Sequence, residues 1–216
     1  MIIFAFSRYF LPYKGASNGK AIAIPKGIVT LFGVLAVISF LGEGGMMDWS
    51  GVFLTEAKGV DLSLAGVGYA VFSAAMLIGR LIGDKVVQKL GEQRVVIFGG
   101  IVASVGYIIS IVFDNFFMMQ FGFILLGFGA ANIVPVVFTL LGRQKEMPIN
   151  SAVTAVTSMG YLGVMFGPAL LGFIAHGIGI VTVFCILAGL FILQAIVSSY
   201  AVSYTHLRAH ETAANL

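Results

Sequence analysis

The sequence predicts an all-α integral membrane fold with six transmembrane helices, and three observations carry that expectation. First, 59% of the 216 residues are hydrophobic and only 10% are charged. A water-soluble domain carries about 25% charged and about 45–50% apolar residues, so one core of this size cannot hide so many apolar side chains. The mean hydropathy of +1.05 says the same. Second, the charge-poor stretches approach the ~20 residues that a helix needs to cross ~30 Å of hydrocarbon at ~1.5 Å per residue. Third, the basic residues collect in alternate loops. A soluble globular enzyme and a disordered chain are both excluded. A β-barrel strand would alternate polar and apolar residues over about ten positions, and these runs do not. The single cysteine, Cys185, excludes a disulfide scaffold and a cysteine-based metal cluster.

The first expected span covers residues 27–47, interrupted only by Glu43. The second covers 62–79 and stops at Arg80, the third 95–113, and the fourth 115–141. Beyond Arg143, Lys145 and Glu146 no Asp, Glu, Lys or Arg appears until Arg208, which is too long for one crossing. The glycines of His176-Gly177-Ile178-Gly179 favour a tight turn there. A fifth span over 151–175 and a sixth over 180–200 follow.

Orientation comes from the positive-inside rule. Arg8, Lys14, Lys20, Lys26, Arg80, Lys85, Lys89, Arg94, Arg143 and Lys145 fall on one side and Lys58 alone on the other, ten against one. The ten are expected at the cytoplasm, with both termini. The opposite side carries Asp48, Glu56, Asp61 and Asp114. The net charge of +3 is therefore a topology signal and no sign of nucleic-acid binding.

Residues 1–26 read as the end of a preceding helix and a cytoplasmic loop, and 27–201 as the six-helix unit. No basic region precedes an apolar stretch long enough for a signal peptide. Residues 202–216 read as a non-native tail: Val202 to Thr212 resembles one translated frame of a transposase-type sequencing adapter. On that reading His206 and His210, four apart as a helical metal pair would be, are set aside.

Gly79-Arg80-Leu81-Ile82-Gly83-Asp84-Lys85, followed by Gly91 and Arg94, is the most informative stretch. Gly79 and Gly83 lie four apart, on one helix face, and admit a close neighbour. The Asp84 carboxylate is placed to accept from a helix N-terminus or to pair with an arginine, a compact charged latch. Pro148-Ile149-Asn150-Ser151 offers such a helix start on the same side. The plainer alternative is a set of topology charges at a helix end.

These residues resemble the loop motif of the major facilitator superfamily, where Gly, Asp and basic residues lie between the second and third helices of each six-helix half. Six residues stand between Asp84 and Gly91, a wider spacing than the family's compact motif. The stretch Leu41-Gly42-Glu43-Gly44-Gly45-Met46-Met47-Asp48-Trp49-Ser50 is similar to the seventh helix of a bacterial, sugar-permease-like inner-membrane subgroup. The resemblance covers about Arg8 to Ala201 and implies helices seven to twelve of a twelve-helix bundle. It implies a secondary transporter in the bacterial inner membrane, working by alternating access on a small solute such as a sugar or drug-like compound. The partners implied are the bilayer, a missing N-terminal six-helix half, the solute and protons. The alternative is a six-helix membrane protein that binds or scaffolds without transporting. No cofactor, metal site or enzyme activity is expected: the chain has no Gly-x-x-x-x-Gly-Lys loop, Gly-x-Ser-x-Gly or His-Glu-x-x-His.

Among individual residues, Glu43 stands out. A carboxylate inside a span costs about 2.5–3.5 kcal/mol on insertion scales unless it pairs, meets water or holds a proton. It is expected either to face the central cavity, as a proton-coupling or substrate-contact group, or to touch water at the outer interface. Gly42, Gly44 and Gly45 surround it and weaken the helix, a hinge that can unwind. Trp49, the only tryptophan, reads as an outer-interface anchor, and Asp48 as solvated. Asn132 either presents its amide to substrate or bonds a neighbouring helix, and Pro135 frees a carbonyl one turn back and kinks the span. Gly163, Gly167 and Gly172 form a small-residue stripe with a bend at Pro168. Tyr69, Tyr107 and Tyr161 offer hydroxyls or ring faces to a solute, although most membrane tyrosines are structural. Met46, Met47, Met118 and Met119 read as filler.

Overall fold

The computed structural model describes residues 23–214, the side chains of 201–214 excepted. Helix α1 (Ile28–Val52) continues into one π-helical turn, Phe53–Ala57. A 3-10 turn, Leu62–Leu64, leads into α2 (Val67–Leu81), which is followed by the short α3 (Gly83–Leu90) and by α4 (Glu92–Val112). The next crossing is built from two pieces, α5 (Phe116–Ala130) and α6 (Ile133–Leu141). Helices α7 (Ile149–Ile178) and α8 (Ile180–Ala214) complete the chain. Six segments are long and apolar enough to cross a membrane: Ile28–Ala57, Leu62–Leu81, Glu92–Val112, Phe116–Leu141, Ile149–Ile178 and Ile180–Tyr200.

The first span is longer than its charge pattern predicts. Asp48 is exposed on one side of the helix, while Met46, Ser50, Phe53 and Leu54 are fully shielded on the other. That i, i+4, i+7, i+8 stripe carries the helix past residue 47. Glu43 consequently lies near the middle of the span. Gly42, Gly44 and Gly45 do not unwind α1, which runs unbroken through them. Gly42 instead leaves room for the ring of Phe191 and Gly45 for Leu187. Trp49 is not simply an interface anchor: it packs on the core, its ring lies beside Gly172, and its Nε1 is buried with no partner among the described residues. The turn between the last two spans rests on Gly179 alone, at φ +93°, while Gly177 stays helical. Residues 1–22, which include the proposed end of a preceding helix, and the side chains of the proposed tail lie outside what is described.

Packing follows a regular order. Helix α2 lies on α5, α5 on α4, α4 on α8, α8 on α1, and α1 on α7. Exchanging the first span with the fourth, the second with the fifth and the third with the sixth maps this order onto itself. Three spans is an odd number, so the two triplets run in opposite senses, an inverted repeat. At the α4–α5 crossing Gly106 and Gly122 face each other, and a Cβ on either would strike the partner backbone. The α1–α4–α8 joint is aromatic: Phe53 stacks on Phe184 at 4.0 Å, and Tyr107 meets Phe184 at 5.4 Å and Phe191 at 6.0 Å. Gln194 Nε2 donates to the Ser39 hydroxyl at 2.8 Å across α8 and α1, while Gln194 Oε1 is buried with no partner among the described residues.

Candidate functional site

The second and fifth spans bury least of themselves within the chain, and between them and α1 lies a cavity of about 380 Å3. Phe40, Glu43, Gly44 and Met47 line it from α1, spaced i, i+3, i+4, i+7. From α2 come Tyr69, Phe72, Ser73, Met76, Leu77 and Arg80, again one continuous helical stripe. Val164 closes it from α7. Most of the wall is aromatic or aliphatic, with one acid, one base and two hydroxyls.

The acid and the base meet. Arg80 Nη2 donates to Glu43 Oε2 at 3.4 Å, with the two side chains 47% and 20% exposed. Glu43 Oε1 is buried and has no hydrogen-bond partner among the described residues. Arg80 Nε donates at 3.4 Å to the Ala131 carbonyl. Pro135 explains why that carbonyl is available. Its ring nitrogen has no hydrogen to return to Ala131, four residues earlier. The helix breaks at residues 131–132 and restarts at Ile133, which puts Pro135 in the first turn of α6, where donors are unpaired anyway. Both Arg80 contacts are longer than the ~2.7–3.2 Å of a tight N–H···O bond, so the guanidinium is held loosely between two acceptors.

The same stretch fixes α2 to the broken span. Asn132 Nδ2 donates to the Gly79 carbonyl at 3.0 Å. Gly83 lies so close that a Cβ there would collide with the Asn132 side chain. Asn132 is therefore turned to α2 and is not part of the cavity wall. Tyr107 is fully buried, and its hydroxyl donates to the Gly42 carbonyl at 3.0 Å behind the cavity. Of the three tyrosines singled out by sequence, Tyr69 alone lines the cavity. Tyr161 is mostly exposed and stacks on Phe40 at 6.3 Å. Gly167 is buried beside Leu41, and Pro168 sits inside an uninterrupted α7. Gln120 is buried with no partner for its amide among the described residues.

At the basic end, the wide spacing between Asp84 and Gly91 is filled by α3, which Gly91 terminates at φ +81°. Asp84, Lys85 and Arg94 are exposed, and Asp84 makes no hydrogen bond or ion pair among the described residues. Arg143 pairs with Glu92 at 2.7 Å, and Glu146 accepts from the Ile28 amide at 3.1 Å, capping α1. At the acidic end, Asp61 caps the 3-10 turn; hydrogen bonds from the Ser63 hydroxyl, then from its amide, hold its carboxyl below the usual range.

Two contacts at this level were missed by sequence reasoning. Arg80 reads as a loop charge but belongs to the cavity, a membership signalled by its place eleven residues along the stripe that starts at Tyr69. Lys58 reads as the odd basic residue on the acidic side. Its Nζ donates to the Ile111 carbonyl at 2.6 Å, in the last turn of α4, and pairs with Asp114 at 2.7 Å over the Phe53 ring.

Over residues 19–215 the chain matches the family model described as Major Facilitator Superfamily. It is 46% identical over 159 residues to an uncharacterized MFS-type transporter of Yersinia pestis, covering 74% of this chain and 41% of that protein. It is 30% identical over 150 residues to the membrane protein MosC of Rhizobium meliloti, covering 69% of this chain and 37% of the relative. The chain thus spans about two fifths of the length of the curated relatives it matches. Among solved structures it resembles the POT family transporter PepTSo with a TM-score of 0.69 at 16% identity, over 83% of this chain and 38% of that one. At that identity the likeness speaks for the fold alone.

Proposed function

The chain belongs to the Major Facilitator Superfamily, a multi-pass membrane transporter family, and from that premise we propose that it is the C-terminal half, helices seven to twelve, of a twelve-helix secondary transporter. The carrier works by alternating access on a small solute, such as a sugar or drug-like compound, and is driven by protons. It sits in the bacterial inner membrane with the basic end of the bundle, and both termini, at the cytoplasm. The observation that carries this reading is the Glu43–Arg80 pair in a mostly apolar cavity, with Glu43 near the middle of the first span and Arg80 reaching it from the last turn of the second. A carboxylate in the interior of a span is expensive and marks a substrate or proton path. Further support comes from the inverted triplets, whose rocking against a second half opens a midplane site to alternate sides, and from the unpartnered Glu43 oxygen, an open position for a proton. Asp84 serves as a latch that closes in one state of the cycle and is open in this one.

The test is proton-driven uptake of a labelled sugar and drug panel by proteoliposomes carrying the full-length protein. Glu43→Gln abolishes accumulation driven by a pH gradient while solute exchange survives; unchanged accumulation would remove Glu43 from coupling. Asp84→Asn slows transport with little loss of membrane insertion, and unimpaired turnover would sink the latch. DNA encoding six further helices upstream of Met1 supports the half-bundle reading; a start site with no such helices favours a non-transporting scaffold.

A further inference from the structure

We propose that the cavity takes a small organic monoanion with an aromatic or branched apolar body, and that each anion enters with one proton, which goes to Glu43. The inference rests on the transporter reading above and names its substrate class.

The argument is one of charge. In the empty cavity Glu43 and Arg80 neutralise each other. Arg80 has five N–H groups, and only two of them have acceptors among the described residues, Ala131 O and Glu43 Oε2. The others lie on a side chain that is 47% exposed, the more accessible member of the pair. An anion entering the cavity therefore meets free guanidinium donors in a fork suited to a carboxylate. It displaces Glu43 from a contact that is already long at 3.4 Å. One negative charge would then be in excess among apolar walls, which is costly. A proton on the carboxyl of Glu43 cancels it: anion, guanidinium and neutral acid sum to zero.

A cation has no such relief. Bound to Glu43, it leaves Arg80 unpaired, and a guanidinium cannot lose its proton in a protein. A neutral solute leaves the ion pair undisturbed and gains nothing from either charge. The asymmetry between an acid that can be neutralised and a base that cannot thus selects anions. Phe40, Met47, Phe72, Met76 and Leu77 supply an apolar wall for the body of the ligand, and about 380 Å3 suits a single-ring compound.

Among the described residues, the titratable and charged groups around Glu43 do not offset this balance. Arg80 and Tyr69 come from α2, Tyr107 from α4 with its hydroxyl on the Gly42 carbonyl, and Tyr161 and the terminal His176 from α7. Helix α6 carries no titratable side chain, and the described side chains of α8 include Cys185 and Tyr200, both exposed, and the neutral Gln194–Ser39 pair. On α1 itself Asp48 is exposed, five residues further on.

The experiment uses three probes that share one ring: phenylacetate, phenylacetamide and phenethylamine. Binding to the purified full-length protein is measured by calorimetry in buffers of different ionisation enthalpy, which reports protons taken up. Phenylacetate should bind with uptake of about one proton and weaken about tenfold per pH unit on the alkaline side, as linkage requires. The amide and the amine should bind at least tenfold more weakly. Glu43→Gln should keep phenylacetate binding but lose both proton uptake and pH dependence. Arg80→Lys, which retains the charge but not the fork, should weaken it severalfold, and Arg80→Gln should abolish it. Preference for phenethylamine, no binding of phenylacetate, or binding without proton uptake would overturn the proposal. If the same preparation still transports a neutral or cationic solute, the carrier reading stands and the anion inference alone falls. If no solute of either panel moves, the carrier reading falls with it.

Discussion

Arg80 hydrogen-bonds the backbone carbonyl of Ala131, the carbonyl that Pro135 leaves without a helical donor. The same side chain holds Glu43 in the cavity. One residue thus ties three features together: the charged group of the first span, the glycine-bearing end of the second, and the break in the fourth. A change of charge at Glu43 alters what holds Arg80, and Arg80 is fixed at its other end to the segment least able to behave as a continuous helix. The loop motif and the cavity are therefore parts of one unit.

Pro135→Ala tests that unit directly. The restored N–H competes with Arg80 for the Ala131 carbonyl and favours a continuous fourth span. Alanine is far better than proline within a helix, by about 3 kcal/mol in an interior position and less in a first turn. We expect about 1 kcal/mol of added stability, seen as a Tm higher by about 2–4 °C. Transport should slow severalfold, because the break no longer receives Arg80. A stabilised variant with unchanged transport would show that the break plays no part in the cycle.

Tyr107 separates packing from hydrogen bonding. Tyr107→Phe keeps the ring contacts with Phe184 and Phe191 and removes only the donor to the Gly42 carbonyl. The loss should be about 1 kcal/mol. Tyr107→Ala also opens a cavity at a fully buried position and should lose about 3–5 kcal/mol. Thermal unfolding in detergent, followed by size-exclusion profile, distinguishes the two. Equal losses would mean that the hydroxyl and not the ring holds the joint.

Lys58 and Asp114 predict an asymmetry. The Lys58 side chain is 7% exposed and that of Asp114 is 87% exposed. Lys58→Met leaves Asp114 to water and keeps an apolar stem over Phe53, so its effect on stability should be near zero. Asp114→Ala leaves the shielded ammonium with the Ile111 carbonyl as its remaining acceptor. It should lower stability by about 1 kcal/mol, a figure kept small because the carboxylate itself is solvated. The ranking is checked by comparing the two melting temperatures; a larger fall for Lys58→Met would reverse the account.

The six crossings were legible because their signal is cumulative. A run of twenty apolar residues does not depend on any single side chain, and the alternation of basic loops orders the runs. What charge counting misread was local direction. Asp48 ended the first span on paper, yet one acid facing away from the neighbours does not stop a helix whose other face is apolar through Leu54. The shorter span leaves an outer-interface position for Glu43 open beside the cavity one; in the structure Glu43 lies near mid-span and lines the cavity. Arg80 was grouped with the loop cations next to it in sequence, whereas its helical register, shared with Tyr69, Ser73 and Leu77, directs it into the cavity. Asn132 and Gly83 are 49 positions apart in the chain, and no spacing rule could bring them together.

The Asn132–Gly83 contact gives a prediction with its own control. Gly83→Ala places a methyl group where the Asn132 side chain sits. Overpacking of this kind costs about 1–3 kcal/mol, and relief requires Asn132 to leave the Gly79 carbonyl, which it now reaches at 3.0 Å. The second span should then lose the shorter of its two polar ties to the break in the fourth, keeping only the long Arg80–Ala131 contact. We expect severalfold slower transport and a lower Tm, with insertion retained because the apolar runs are untouched. Asn132→Gly alone removes the same hydrogen bond without a clash. The double variant, Gly83→Ala with Asn132→Gly, relieves the overpacking but cannot restore the bond to Gly79. Stability should therefore return to the level of Asn132→Gly, while transport stays slow. If the double variant regains full transport, steric fit rather than the Asn132–Gly79 bond is what the cycle requires. If Gly83→Ala by itself is without effect, the close approach of α2 to the broken span is not functional at all.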